Sequence, residues 1–289
     1  MEASSWDDKI DYLRNTRWTL YNDDYIEFLV KNVWKITEPI RLIDFGCGYG
    51  FMGLKLLPML PLGSTYTGVD AGGALLAHAK ELFAQLPYES EFIRADIQTV
   101  SLERKYDMAI SHAFLMHMPN PKEILHKMID CVEDQGRIAC FEAHWIANMA
   151  SYYFEGVDQS DLVQLGPTQR LYESDTKREG KDGNIGIKLP VYMSELGVKQ
   201  VQCRVSDRVN FLDLNTGLEN RNKLANSMRP SPCGEKEEFV HNLMMRGMTA
   251  QEASQQYECE RRFEAALHPD AYFAEASSMK ISFGLIDRT

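Results

Sequence analysis

The chain of 289 residues carries 31 Lys and Arg against 42 Asp and Glu, a net charge of −11. Polyanions are normally met by a basic surface that releases counterions, so nucleic acid is excluded as an expected partner. Hydrophobic residues at 44% and charged residues at 25% are ordinary globular values, which excludes disordered and fibrous classes and is compatible with one elaborated domain or one domain plus a small second one.

No apolar stretch approaches the length of a bilayer span, and the start, Met1 to Asp8, is acidic where a secretory signal would be basic and then apolar. A soluble, cytoplasmic protein is therefore expected. Six cysteines without a CxxC pair predict free thiols and no metal site, with Cys131 and Cys140 as core residues. Oligomeric state is left open.

In chain order, Asn22-Asp23-Asp24 is placed to cap a helix carrying Tyr25, Ile26, Leu29, Val33, Trp34 and Ile36, closed by Pro39. Arg41 to Phe45 reads as a strand running into Gly46-Cys47-Gly48-Tyr49-Gly50 and a helix from Phe51 to Leu57. The beat repeats with Ser64 to Asp70, Ala74 to Leu86, Glu91 to Ala95 and Tyr106 to Ser111. Pro121 then opens a helix to Cys131, before the strand Arg137 to Glu142. Beyond it, Leu189 to Leu196 reads as helix, Lys199 to Leu212 as one long strand, and Met279 to Asp287 as a strand pairing antiparallel with it. The expected fold is α/β: a doubly wound, Rossmann-like, mostly parallel seven-stranded sheet with an antiparallel last strand and a mainly helical cap.

The corresponding divisions are an N-terminal helical lid at 1–39, a ligand-binding core at 40–145, a cap insertion at 146–188, core again at 189–214, a helical cap insertion at 215–270 and the last strand at 271–289. Within 146–188, the Gly- and Lys-rich piece Lys177 to Asn184 reads as a mobile loop or lid.

Three alternate glycines after a buried strand let backbone pass close to a ligand. Asp44, two positions before the first, would repel a pyrophosphate and suits a cationic ligand, and GxGxxG is missing. Asp70 ends the next strand, where a carboxylate can accept both hydroxyls of a ribose. Asp96 and Ile97 follow the third strand, placed to meet an adenine amino group and ring. Three acids at three strand tips thus specify adenosine with a positive charge and no phosphate.

This pattern resembles the class I S-adenosylmethionine-dependent methyltransferases, particularly the small-molecule group around the ubiquinone and menaquinone biosynthesis methyltransferases. The resemblance covers residues 40–145 in detail. It implies S-adenosylmethionine as cofactor, with Asp44, Gly46, Gly48 and Gly50 at its methionine end, Asp70 at the ribose, and Asp96 with Ile97 at the adenine. Cys47 contributes backbone, Ala71 and His112 are further contacts, and Arg14, Arg17 or Tyr21 of the N-terminal segment would meet the methionine carboxylate. Ser111 to Pro121 resembles the family's loop after the fourth strand, with Met116 and Asn120 departing from its pattern. His117 in that loop, and Glu142 and His144 at the tip of the fifth strand, are the candidates for acid–base work on a small or medium-sized acceptor. An NAD-dependent oxidoreductase and a non-catalytic binding module are the alternatives.

Overall fold

The structure, a computed structural model, describes residues 4–229 and 233–289. Residues 1–3 of the expected lid and 230–232 of the expected helical cap lie outside the described residues. In chain order the strands are β1 (Arg41–Phe45), β2 (Thr65–Asp70), β3 (Ser90–Arg94), β4 (Tyr106–His112), β5 (Val132–Ala143), β6 (Tyr152–Phe154), β7 (Lys199–Val205), β8 (Asn210–Phe211), β9 (Phe273–Glu275) and β10 (Met279–Leu285). The main sheet has the order β3-β2-β1-β4-β5-β10-β7. β1 to β5 run parallel, and β10 pairs antiparallel with both β5 and β7.

Alternate side chains of each central strand go to opposite faces, and both faces are covered. On one face Leu42, Met108, Ile110 and Phe141 pack with Ile26, Trp34 and Met52. On the other, Ile43, Phe45, Ala109, Ile138 and Cys140 pack against Leu125 and Met128 of the helix Pro121–Cys131 and against Leu189 and Met193. This two-sided burial is why the strands read as apolar runs without strict alternation. Because β1 to β5 run parallel, their carboxyl ends, and the loops that follow them, share one edge of the sheet.

Four local expectations are corrected. The long strand Lys199 to Leu212 is two strands: Ser206 closes β7 by donating its N–H to Met279 and accepting the Met279 N–H on Oγ. The polar residues after it then carry the chain into a second sheet, β6-β9-β8. Segment 146–188 contains a regular helix, Leu165–Glu179, which ends at Gly180 in the left-handed region, φ 73°, a conformation cheap for glycine. Asn22 stands at the helix start without capping it, and its amide NH₂ donates to Asp207. The same helix widens to a π turn at Leu29–Val33, ending well before Pro39.

The small sheet has its own apolar centre, where Phe154 and Phe273 meet at 4.3 Å and Phe263 meets Phe154 at 5.2 Å. The N-terminal segment is tied to this region by Trp18 Nε1 donating to Ser227 Oγ at 3.1 Å and by the Asn210 amide donating to the Thr19 carbonyl at 2.9 Å. At its start, Asp7 accepts the N–H groups of Ala74 and Leu75 at the amino end of the helix Gly73–Phe83. A carboxylate there satisfies free donors and complements the helix dipole. That contact fastens the first helices across the sheet's ligand end.

Candidate functional site

A cavity of about 370 Å³ opens beside the loops that follow β1 to β4, within the range of ~300–1,000 Å³ usual for small-molecule sites. Its floor is the turn after β1. Gly46 and Cys47 both donate to the Val69 carbonyl, and Gly46, Gly48 and Gly50 have φ of 70°, 55° and 84°. Gly48 lines the cavity, and a Cβ on it would meet nothing within 4 Å. The side-chain position is therefore open space where a ligand can lie directly on the backbone.

Asp70 lines the next wall. Its two oxygens accept the Gly48 and Gly72 N–H groups, each at 2.8 Å, so the carboxylate is oriented before any ligand arrives. Burial raises its proton affinity, and the donors at Gly72 and Gly48 oppose this. Ala71 adjoins it, and Asp96 with Ile97 continues the lining, Asp96 Oδ1 accepting the Gln98 N–H at 2.9 Å. His112 and His117 enter from the loop after β4, and Arg17 comes from the helix Ile10–Arg17.

Nine of the cofactor residues expected from the sequence thus surround one cavity. Four, Arg14 among them, do not line it. Asp44 is buried behind the turn, where Tyr66 donates to its Oδ2 at 2.8 Å. Burial pushes its carboxyl up to about 7, and it faces the sheet interior because a strand residue points to one side only. Gly50 lies over Phe83, whose ring would be 2.6 Å from an added Cβ. Tyr21 is a core residue among Phe51, His112 and Phe141.

Of the acid–base candidates, only His117 lines the cavity. Its ring lies 5.1 Å from that of Trp6, and burial, then Arg17, Lys181 and Lys9, lower its pKa to about 4. His144 stands outside, before the short helix Trp145–Met149. Glu142 is buried behind the site, and its Oε1 accepts the N–H groups of Phe114 at 3.0 Å and Leu115 at 2.9 Å. Two consecutive donors on one oxygen clamp the loop that carries His117, next to Ala113 at φ 47°. Glu142 is a positioning residue for this loop.

Glu142→Ala is expected to lose about 3 kcal/mol of stability, the cost of leaving two N–H groups unpaired, whereas Glu142→Gln keeps an acceptor. Burial raises the Glu142 carboxyl to about 7. A raised folded pKa gives stability that is present below the unfolded value, near 4.5, and lost as pH rises through about 7. Glu142→Gln lacks that loss, so thermal denaturation at pH 5 and pH 8 should show its stability rising relative to wild type at the higher pH. A difference independent of pH would put the charge of Glu142 elsewhere.

The sequence reading missed Trp6, Leu13, Phe51, Phe114 and Lys181, which also line the cavity. Phe114 stands in the quoted loop after β4, and its ring covers Gly46, where a Cβ would come within 2.2 Å. Trp6 arrives from a distant segment with no local signal, and Lys181 from the Gly- and Lys-rich piece Lys177 to Asn184.

Comparison with known proteins accords with this geometry. Residues 36–165 match a family model described as a methyltransferase domain. The ubiquinone biosynthesis O-methyltransferase of Pseudomonas savastanoi pv. phaseolicola is 27% identical over 129 residues, 44% of this chain and 53% of that protein. The malonyl-[acyl-carrier protein] O-methyltransferase of Bacillus cereus is 28% identical over 108 residues, 37% of this chain and 39% of that protein. The chain spans about half the length, or less, of these curated relatives. Among solved structures, Haemonchus contortus phosphoethanolamine N-methyltransferase 2 in complex with S-adenosyl-L-methionine aligns with a TM-score of 0.53 at 10% identity, covering 100% of this chain and 60% of that one. The YcgJ protein of Bacillus subtilis aligns at 0.52 and 11%, covering 92% and 100%. Residues 36–165 are thus similar to a methyltransferase domain, and the chain has the Rossmann-like fold that these solved structures share.

Proposed function

We propose that the protein is an S-adenosylmethionine-dependent methyltransferase acting on a small or medium-sized acceptor. The observation that carries this is the pairing of Asp70 with the open backbone at Gly48, a hydroxyl-binding carboxylate beside a surface that only a close-lying chain can occupy. Asp70 would hold the ribose, Asp96 and Ile97 the adenine, and Arg17 the methionine carboxylate. Buried His112 Nε2 has no partner among the described residues, and its pKa is lowered, by burial first and then by Arg17, so it is a neutral polar contact beside the methionine end. When bound, the cofactor supplies an electrophilic methyl group.

The chain's own contribution is alignment in a site that excludes water, worth on the order of 7–11 kcal/mol in favourable intramolecular cases. Trp6, Leu13 and Phe114 supply the apolar walls. His117, neutral at pH 7, accepts a proton where the acceptor carries one. The six free thiols accord with a reducing, cytoplasmic setting.

The same fold aligns with a protein named a [4+2]-cyclase at a TM-score of 0.50 and 12% identity, so fold alone does not carry the reaction. Calorimetry should show S-adenosylmethionine and S-adenosylhomocysteine binding and no binding of NAD. Incubation with methyl-labelled cofactor and metabolite extracts should then yield S-adenosylhomocysteine and a labelled product. Binding of NAD alone would replace the proposal with an oxidoreductase, and cofactor binding without turnover on any extract would leave a binding module.

A further inference from the structure

The cavity is electrically divided. Asp70 and Asp96 stand along the walls that follow β2 and β3, whereas Arg17 and Lys181 line it from the helical segments, and Lys9 lies 4.9 Å from the ring centre of Trp6. His117 is the group on which these three cations act together, after burial, to favour the neutral imidazole. Such a local gathering stands out in a chain of net charge −11.

Lys181 is presented by a segment that is packed, not loose. Residues 180–186 read Gly-Lys-Asp-Gly-Asn-Ile-Gly, and each glycine admits a neighbour that a side chain would displace. An added Cβ would come within 2.3 Å of the Pro119 carbonyl oxygen at Gly180, 2.7 Å of the Trp145 ring at Gly183, and 2.4 Å of the Glu142 carbonyl oxygen at Gly186. The Asp182 N–H donates to the Met116 carbonyl at 3.0 Å, and the Trp145 N–H donates to the Gly183 carbonyl at 3.1 Å. The strap is thus fastened to the loop bearing His117 and to the end of β5.

The charges on the strap are separated by their partners. Asp182 is buried and paired with Lys188 at 2.5 Å, so it does not cancel its neighbour. Lys181 touches Glu179 at 3.3 Å, but Glu179 is half exposed and also bound by Arg178 at 2.8 Å. An ammonium has three donors, and this shared surface contact leaves the cation able to serve the cavity. With Arg17 assigned to the cofactor, Lys181 is the cation that remains for a second ligand among the described residues lining the cavity.

We propose that Lys181, held beside His117 by the glycine strap, recognises an anionic oxygen group on the methyl acceptor. The inference rests on the proposed methyltransferase reading, and it makes the acceptor an acid or a phosphate ester with an apolar body that fits against Trp6 and Phe114. The strap that the sequence reads as a loop or lid becomes the packed mount of a specificity-determining side chain.

The test uses the full chain saturated with S-adenosylhomocysteine and two matched probe pairs, 4-hydroxycinnamate with 4-hydroxycinnamamide and phenyl phosphate with phenol, titrated by ligand-observed NMR. At least one anion should bind about tenfold tighter than its neutral partner, and which pair discriminates separates carboxylate from phosphate. Lys181→Gln should abolish the preference and Lys181→Arg should retain it, with S-adenosylhomocysteine affinity unchanged in both. Equal affinities within both pairs, no binding of either anion, or a preference that survives in Lys181→Gln overturns the assignment. Failure of the methyltransferase reading is seen separately, as absence of S-adenosylhomocysteine binding before any probe is added.

Discussion

Replacing Asp70 with alanine is expected to weaken S-adenosylmethionine and S-adenosylhomocysteine together, by about 10- to 100-fold, or roughly 1.5–3 kcal/mol. Both ligands carry the same ribose, so a carboxylate that binds its hydroxyls cannot discriminate between them. The geometry sharpens the expectation. Each Asp70 oxygen already accepts one backbone N–H, from Gly48 and from Gly72, and retains a further lone pair for a ligand hydroxyl. Asp70→Asn replaces one acceptor by an NH₂ group facing a backbone donor, so it should also fail to restore affinity. Calorimetric titration checks both variants. An unchanged dissociation constant accompanied by a lower melting temperature would confine Asp70 to bracing the turn and the start of the following helix.

Replacing His117 with alanine is expected to lower turnover by about 100-fold on a proton-bearing acceptor while leaving cofactor affinity close to wild type. This is at the low end of what a general base contributes, because a pKa near 4 makes a weak base at neutral pH. The sign of the pH dependence follows from the same shift. A histidine with pKa about 4 is already neutral at pH 5.5, so kcat/KM should be flat from about pH 5.5 to 8 as far as His117 is concerned. Its acid limb should appear nearer pH 4. A limb centred near 6.5 that disappears in His117→Ala would mean that the buried, cation-ringed environment is not the one that operates during turnover. Full activity of the variant would leave His117 as a wall of the site, with catalysis by alignment alone.

How much of this site was legible depended on the range of the signal. Gly46 and Gly48 announce themselves because a tight turn after a buried strand is a local backbone requirement. Asp70 and Asp96 follow because parallel strands end on one side of the sheet, and an acid at such an end faces the ligand crevice. Asp44 and Glu142 carry the same residue type near the same level but stand outside the cavity lining. Asp44 lies inside β1, where Tyr66 of the next strand captures it, and Glu142 lies inside β5, where two N–H groups from another loop capture it.

The sequence by itself determined the alternation of strands and helices, the glycine turn and the order of acids at the strand tips, because each arises from periodicity or turn chemistry within a few residues. Only the tertiary structure decided which carboxylates face the cavity and which brace it, that β10 enters between β5 and β7, and that Trp6, Arg17 and Lys181 meet around His117. Those outcomes depend on which distant groups satisfy each buried polar atom and on which backbones approach closely enough to need glycine, as at Gly180, Gly183 and Gly186. A linear pattern names such residues, but the packing of distant segments assigns their partners.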